Sequence, residues 1–205
     1  MASIYDLKPK FQALLRPLCA WLAARGVTAN QVTVAAFALS VAHGAANYAS
    51  AGGRVILLLL PFVLLIRMAM NAIDGMLARE FDQKSKLGAV LNELTDVLSD
   101  AALYLPFAII AGVNASLVFA VVLGGVIAEM TGVIGVQIGA SRRYDGPFGK
   151  SDRAVFFGAF AVVSAFGAQY GLWSNLLLTA AALLGALTIF NRARGALKEV
   201  ADGHP

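Results

Sequence analysis

Apolar residues in this chain gather into six long runs, roughly 32–50, 55–79, 88–112, 115–138, 154–170 and 173–191, separated by short polar stretches. A helix needs about 20 apolar residues to cross a bilayer, and these runs are near that length. A seventh element precedes them. Over residues 3–25, Ile4, Leu7, Phe11, Leu14, Leu15 and Leu18 form an apolar face, with Lys8, Lys10 and Arg16 among them. That pattern suits a helix lying in the headgroup layer. After Gly26, Thr28 or Asn30 is a good N-cap for the first span. The pattern predicts an all-α integral membrane protein with six transmembrane helices and an N-terminal interfacial amphipathic helix, forming a single domain over 1–205.

Composition agrees with the pattern. Of 205 residues, 59% are hydrophobic, more than the half or so usual in soluble domains, and the mean hydropathy is +0.74. The single cysteine, Cys19, excludes an internal disulfide and a cysteine-based metal site. The opening Met-Ala-Ser-Ile-Tyr-Asp lacks the basic start and short apolar core of a signal peptide, so insertion is expected to rely on the spans. The net charge of +4 might suggest nucleic acid in a soluble protein, but the placement of the charges argues against it. Of sixteen Lys and Arg, Arg54 falls in an outer turn and Arg67 inside a span. The other fourteen fall in the N-terminal segment, the 79–87 and 139–153 loops and the C-terminal tail. Six spans put those four segments on one side, and the positive-inside rule makes it the cytoplasm, with both termini there.

The polar residues inside the spans carry the functional signal. Arg67, Asp74, Asp96, Asp100 and Glu129 all lie within apolar runs, where each charge costs about 2.5–3.5 kcal/mol at the bilayer centre. They are expected to line a cleft, pair with one another, or bind metal. Asn71, Asp74 and Ala78 share one helical face, and Asn92, Asp96 and Asp100 share another. At 1.5 Å per residue, Asn71 and Asp96 each lie about 12 Å from the basic end of their spans, with Glu129 at similar depth. His43 has no evident partner and is read as a packed histidine. Trp21 and Trp173 sit near span ends, as interfacial anchors do.

Asn71, Asp74, Gly75, Ala78, Arg79, Gly88, Asn92 and Asp96 resemble, at matching spacing, the D-x2-D-G-x2-A-R-x8-G-x3-D-x3-D signature of the CDP-alcohol phosphatidyltransferase family. Asparagine replaces aspartate at 71 and 92, as in a bacterial inner-membrane branch of that family. The segment Thr28-Ala29-Asn30-Gln31-Val32-Thr33 is similar to a Thr-Pro-Asn-x-x-Thr stretch of the family, with Ala29 in place of proline. The resemblance implies a membrane transferase that moves a phosphatidyl group from a CDP-linked lipid to an acceptor hydroxyl and releases CMP. It implies Mg²⁺ or Mn²⁺ as cofactor, held by Asn71, Asp74 and Asn92, with Asp96 as ligand or as the general base. It also implies CDP binding by Asp74, Gly75, Ala78, Arg79 and Gly88, and a homodimer. The two asparagines remove two negative charges from the ligand set, so Asp100, one turn beyond Asp96, is expected to join it, with Glu93 as another candidate. Read without the family, Gly75, Ala78 and Gly88 are equally suited to close helix packing, and Arg79 to reaching out of the membrane.

A second basic cluster runs from Ser141 to Arg153 and holds Arg142, Arg143, Lys150 and Arg153, with Pro147 and two glycines shaping a turn. Membrane anchoring accounts for it, and so does an anion pocket, since arginines suit phosphate oxygens. In relatives with phosphorylated acceptors the corresponding residues hold that phosphate. The resemblance therefore implies a phosphorylated acceptor, with glycerol 3-phosphate as first choice. A catalytically degenerate relative, binding lipid or nucleotide or working as a transporter, is the alternative.

Overall fold

The structure, a computed structural model, describes residues 4–203, with side chains from Pro9 onward. Seven α-helices follow one another: α1 (Ile4–Ala24), α2 (Ala29–Ala49), α3 (Arg54–Glu80), α4 (Lys86–Tyr104), α5 (Ala115–Gln137), α6 (Lys150–Ala165) and α7 (Leu172–Ala201). Four of them, α2, α3, α5 and α7, are long and apolar enough to cross a membrane. By the same measure α4 and α6 are not: α6 has sixteen residues, and α4 carries the polar stripe of Asn92, Asp96 and Asp100.

The expected span over 88–112 is divided. Its α-helix ends at Tyr104 and a 3-10 turn, Leu105–Ile109, follows. Pro106 has no N–H to give to the helix and disfavours helical backbone at the residue before it, so the apolar run continues while the α-helix stops. The other boundaries also move: α2 begins at Ala29, α6 ends at Ala165, and α7 runs on to Ala201 through residues assigned to the tail.

The chain forms two compact units, residues 1–42 with 62–99 and residues 43–61 with 100–205. In the first, Cys19, Ala29, Val32, Ile73, Met76 and Leu77 form a buried core, joined by Leu15, Leu22 and Ala23 of α1. Leu15, Cys19 and Leu22 recur at helical spacing, so α1 buries that stripe and leaves Leu14, Leu18 and Trp21 exposed. The expected apolar face is thus split: Leu15 packs inward, while Leu14 and Leu18 face outward. The side chains of Ile4, Leu7 and Lys8 lie outside the described residues. Arg16 grips Glu80 at the end of α3 through two 3.0 Å hydrogen bonds.

Thr28 is the cap of α2. Its Oγ1 accepts from the Gln31 N–H at 3.3 Å, and Gln31 Oε1 accepts from the Thr28 N–H at 2.9 Å, a reciprocal capping box. In the second unit α5 packs along α7, and aromatic rings fill a core in which Tyr104 stacks on Phe157 with centroids 4.1 Å apart. The loop between α5 and α6 is pinned to α7: Ser141 bonds Glu199 through both N–H and Oγ, and the Phe148 N–H donates to Thr188 Oγ1.

Candidate active site

A cavity of about 620 Å³ in the first unit is walled by the start of α2, the end of α3, the 81–85 loop and the start of α4. Asp74, Gly75, Ala78, Arg79, Gly88 and Asn92 all line it, which is six of the eight signature positions. Helical spacing explains the convergence. Asp74, Gly75 and Ala78 lie within about one turn of α3, and Gly88 and Asn92 are one turn apart on α4.

Small residues keep the cavity open. A Cβ on Gly75 would lie 3.0 Å from Arg79 Nη2, so the Arg79 side chain folds back over the glycine. A Cβ on Gly88 would lie 2.8 Å from Asn30 Oδ1 and 3.0 Å from Ser85 Oγ. Arg79, Lys84 and Lys86 bring three cations to the wall, and Asn30, Thr33, Gln83 and Ser85 bring neutral polar groups. Thr33 Oγ1 donates to Asp74 Oδ2 at 2.8 Å and fixes that buried carboxylate. Gln83 secures the loop, accepting from the Ala29 N–H at 2.7 Å and donating to the Val27 carbonyl at 3.4 Å.

Asp96 and Asn71 belong to the same unit but are not among the cavity's lining residues. Asn71 Nδ2 donates to Asp96 Oδ1 at 3.3 Å. The buried Arg67 guanidinium donates to the Asp96 carbonyl at 3.0 Å and lies 3.5 Å from its carboxylate. Arg67, expected from its place inside a span to line a cleft, pair or bind metal, pairs with Asp96 and holds it in place. The two asparagines differ in their setting: Asn71 is engaged with a carboxylate, while Asn92 faces the cavity.

Asp100 belongs to the second unit, where its Oδ2 accepts from Arg153 Nε at 3.1 Å and Nη2 at 2.8 Å. The Asp100 carboxylate, expected to hold metal with Asp74 and Asp96, is the partner of a buried guanidinium. Among the described residues no three Asp, Glu, His or Cys side chains form a metal-ligating group. Glu93 does not line the cavity either.

The second basic cluster is also more paired than its sequence suggested. Arg142 bonds Glu129, Arg143 bonds Asp145 and Glu199, and Arg153 bonds both Asp100 and Glu129. The Arg143 guanidinium holds the Asp145 carboxyl below its usual range, and that carboxylate in turn raises Arg143. Lys150, the fourth expected cation, opens α6. Sequence reading missed Arg192, which donates to the Ala128 carbonyl at 2.6 Å and lies 3.1 Å from Glu129. Ending the last span at residue 191 had placed it in the tail. Its signal was the apolar run on its N-terminal side and the helix-favouring residues after it.

A bundle of apolar helices with this signature lining one cavity defines a membrane-embedded transferase acting on CDP-linked alcohols. The chain belongs to the CDP-alcohol phosphatidyltransferase family, whose model matches residues 26–191. That membership makes it a membrane transferase of phospholipid synthesis. It is 48% identical to the inner membrane protein YnbA of Escherichia coli over 195 residues, covering 95% of this chain and 96% of that protein. It is 31% identical to archaetidylinositol phosphate synthase of Aeropyrum pernix over 127 residues, covering 62% of this chain and 63% of that protein. Its fold is shared with a crystal structure of Mycobacterium tuberculosis phosphatidylinositol phosphate synthase with CDP-DAG bound. The TM-score there is 0.73 at 19% identity, covering 88% of this chain and 92% of that one.

Proposed function

We propose that this protein transfers a phosphatidyl group from a CDP-linked lipid, CDP-diacylglycerol foremost, to the hydroxyl of a small phosphorylated acceptor, and releases CMP. The observation that carries this is the cavity lined by six signature residues, Arg79 among them, and by Lys84 and Lys86. Arg79, Lys84 and Lys86 supply positive charge for a pyrophosphate, and Gly75, Ala78 and Gly88 let it approach the backbone. Asp74, held by Thr33, sets the carboxylate side of the site. The acceptor oxygen bonds to the lipid-side phosphorus, the bond from that phosphorus to the CMP oxygen breaks, and Asp96 takes the hydroxyl proton. Arg67 and Asn71 keep the Asp96 carboxylate oriented for that step.

The donor set suits a hard divalent cation. Asp74 and Asp96 offer two carboxylates, Asn71 and Asn92 two amide oxygens, and all four belong to the first unit. Mg²⁺ or Mn²⁺ held by these residues would neutralise the pyrophosphate and the departing CMP. The M. tuberculosis synthase was also crystallised with manganese and citrate, which supports a divalent ion in this fold. Glycerol 3-phosphate is the first acceptor to try, and the names of the archaeal and mycobacterial synthases add inositol phosphate. We take the enzyme to be a homodimer of the bacterial inner membrane, with α4 and α6 completing six spans, α1 at the interface and both termini cytoplasmic.

The test is CMP release by purified protein in detergent, given CDP-diacylglycerol and Mn²⁺ or Mg²⁺. Glycerol 3-phosphate, inositol phosphate, inositol and serine are supplied in turn, with Asp96→Asn as control. Release that depends on one acceptor and vanishes in the variant is expected. Absence of release with every acceptor, together with no metal-dependent CDP binding, overturns the reading.

A further inference from the structure

In the second unit one carboxylate, Glu129 on α5, sits among three arginines. Arg142 Nη2 lies 3.1 Å from it, Arg153 Nη2 3.2 Å and Arg192 Nη1 3.1 Å. Glycines on the same face of α5 make room for two of these guanidinium groups. A Cβ on Gly125 would lie 2.9 Å from Arg153 Nε, and a Cβ on Gly132 would collide with Arg142 Nη1. Gly125, Glu129 and Gly132 follow at i, i+4 and i+7, so a single helical face carries the carboxylate and both openings. The arginines come from three different segments: the loop before α6, the first turn of α6, and the last third of α7.

Arg142, Arg153 and Arg192 all reach Glu129, and Arg153 also pairs with Asp100. One donor in the cluster, Arg153 Nη1, is buried with no hydrogen-bond partner, which is costly unless something accepts from it. Three guanidinium groups around one point, with a spare donor, are the chemistry that recognises a phosphate. Here a side chain of the protein already holds that point.

We propose that Glu129 is an internal counter-anion that competes with the anionic group of the acceptor for these arginines, and so determines acceptor affinity and selectivity. Without acceptor, Glu129 keeps the buried arginines neutralised. An incoming phosphate must displace the carboxylate from at least part of its contacts. This rests on the acceptor being phosphorylated, as proposed above, but the effect on anion binding can be read without turnover.

The experiment compares wild type with Glu129→Gln and Glu129→Asp, the second keeping the charge but withdrawing it by one methylene. Binding of inorganic phosphate to the purified protein is measured by calorimetry without CDP-lipid. Acceptor KM, CDP-lipid KM and kcat are then measured separately. Glu129→Gln is expected to bind phosphate at least about tenfold tighter, because a competing charge-assisted contact is removed. Its acceptor KM should fall by a similar factor, with the CDP-lipid KM unchanged, and Glu129→Asp should lie between. If Glu129→Gln does not purify as a folded protein, Glu129→Asp alone decides: unchanged phosphate affinity overturns the proposal. A folded Glu129→Gln with unchanged phosphate binding and acceptor KM also overturns it, while leaving the transferase reading intact. Loss of CMP release from wild type with every acceptor overturns that reading instead, and the phosphate titration still reports on Glu129.

Discussion

Replacing Asp100 with asparagine separates two roles for that residue: ligand of a metal, or partner of a buried arginine. Its Oδ2 takes hydrogen bonds from Arg153 at 3.1 and 2.8 Å, and the side chains are only 9% and 3% exposed. A hydrogen bond to a charged group contributes about 1.5–3 kcal/mol and a neutral one about 0.5–1.5 kcal/mol. Weakening two such bonds therefore costs about 2–3 kcal/mol. Removing one partner of a buried pair can cost about 3–5 kcal/mol, but Glu129 still reaches the same Arg153 nitrogen, so the lower figure applies. For a chain near 200 residues that is a fall in Tm of about 5–10 °C. The assay is thermal unfolding in detergent, paired with CDP binding with and without Mn²⁺. Asp100→Asn should unfold earlier yet keep its Mn²⁺-dependent CDP binding within about threefold, a range worth under 1 kcal/mol. The double variant Asp100→Asn with Arg153→Met should be more stable than the single one, because the unmatched charge is gone. An unchanged Tm with loss of Mn²⁺-dependent CDP binding would refute the ion-pair argument and return Asp100 to the metal.

Three further outcomes follow from the geometry. Thr33→Val removes the 2.8 Å hydrogen bond to Asp74 and should weaken metal-dependent CDP binding by about 1 kcal/mol, or five- to tenfold, in a direct titration. Alanine at both Lys84 and Lys86 should lower CDP affinity and flatten its dependence on salt, measured at low and high ionic strength. Asp145 has a folded pKa below its unfolded value, through its hydrogen bond to Arg143, so its stabilisation is present above about pH 4 and lost as pH falls through the lower folded value. The Tm difference between wild type and Asp145→Asn should be constant near neutrality and close as acid is added, and a gap that widened in acid would contradict the sign.

The long helices were legible because hydrophobic runs of that length have few other uses. Thr28 was legible because a cap precedes its helix by rule. The break at Tyr104 was less so, since Leu105–Ile109 is as apolar as the helix before it and only Pro106 marks the change. For the site, the signature's spacing located the cavity wall on α3 and α4 but not the loop between them. Gln83, Lys84, Ser85 and Lys86 sit in the spacer, where spacing is fixed and identity is not. Asp100 shares the stripe of Asp96, so periodicity could not separate them; what separates them is Arg153, 53 residues away in sequence. Glu129 was visible as a charge inside a span, but its pairing with Arg192 was hidden for the same reason, since a buried ion pair on two distant helices leaves no local pattern.

Cys19 is the one cysteine in the chain, and it is fully buried between α1 and α3, with its Sγ 3.9 Å from the Ile73 carbonyl. Burial, helped by the nearby Glu80 carboxylate, also pushes its thiol up, which keeps it in the less reactive protonated form. Towards maleimides the folded protein is therefore expected to behave as if it were cysteine-free. A second cysteine placed in any connecting loop can be labelled from either side of a vesicle with almost no background from the native thiol, and this gives the orientation of each loop directly. The native thiol becomes a clock: it reacts only when α1 lifts away from α3, so its labelling rate measures how often that helix detaches.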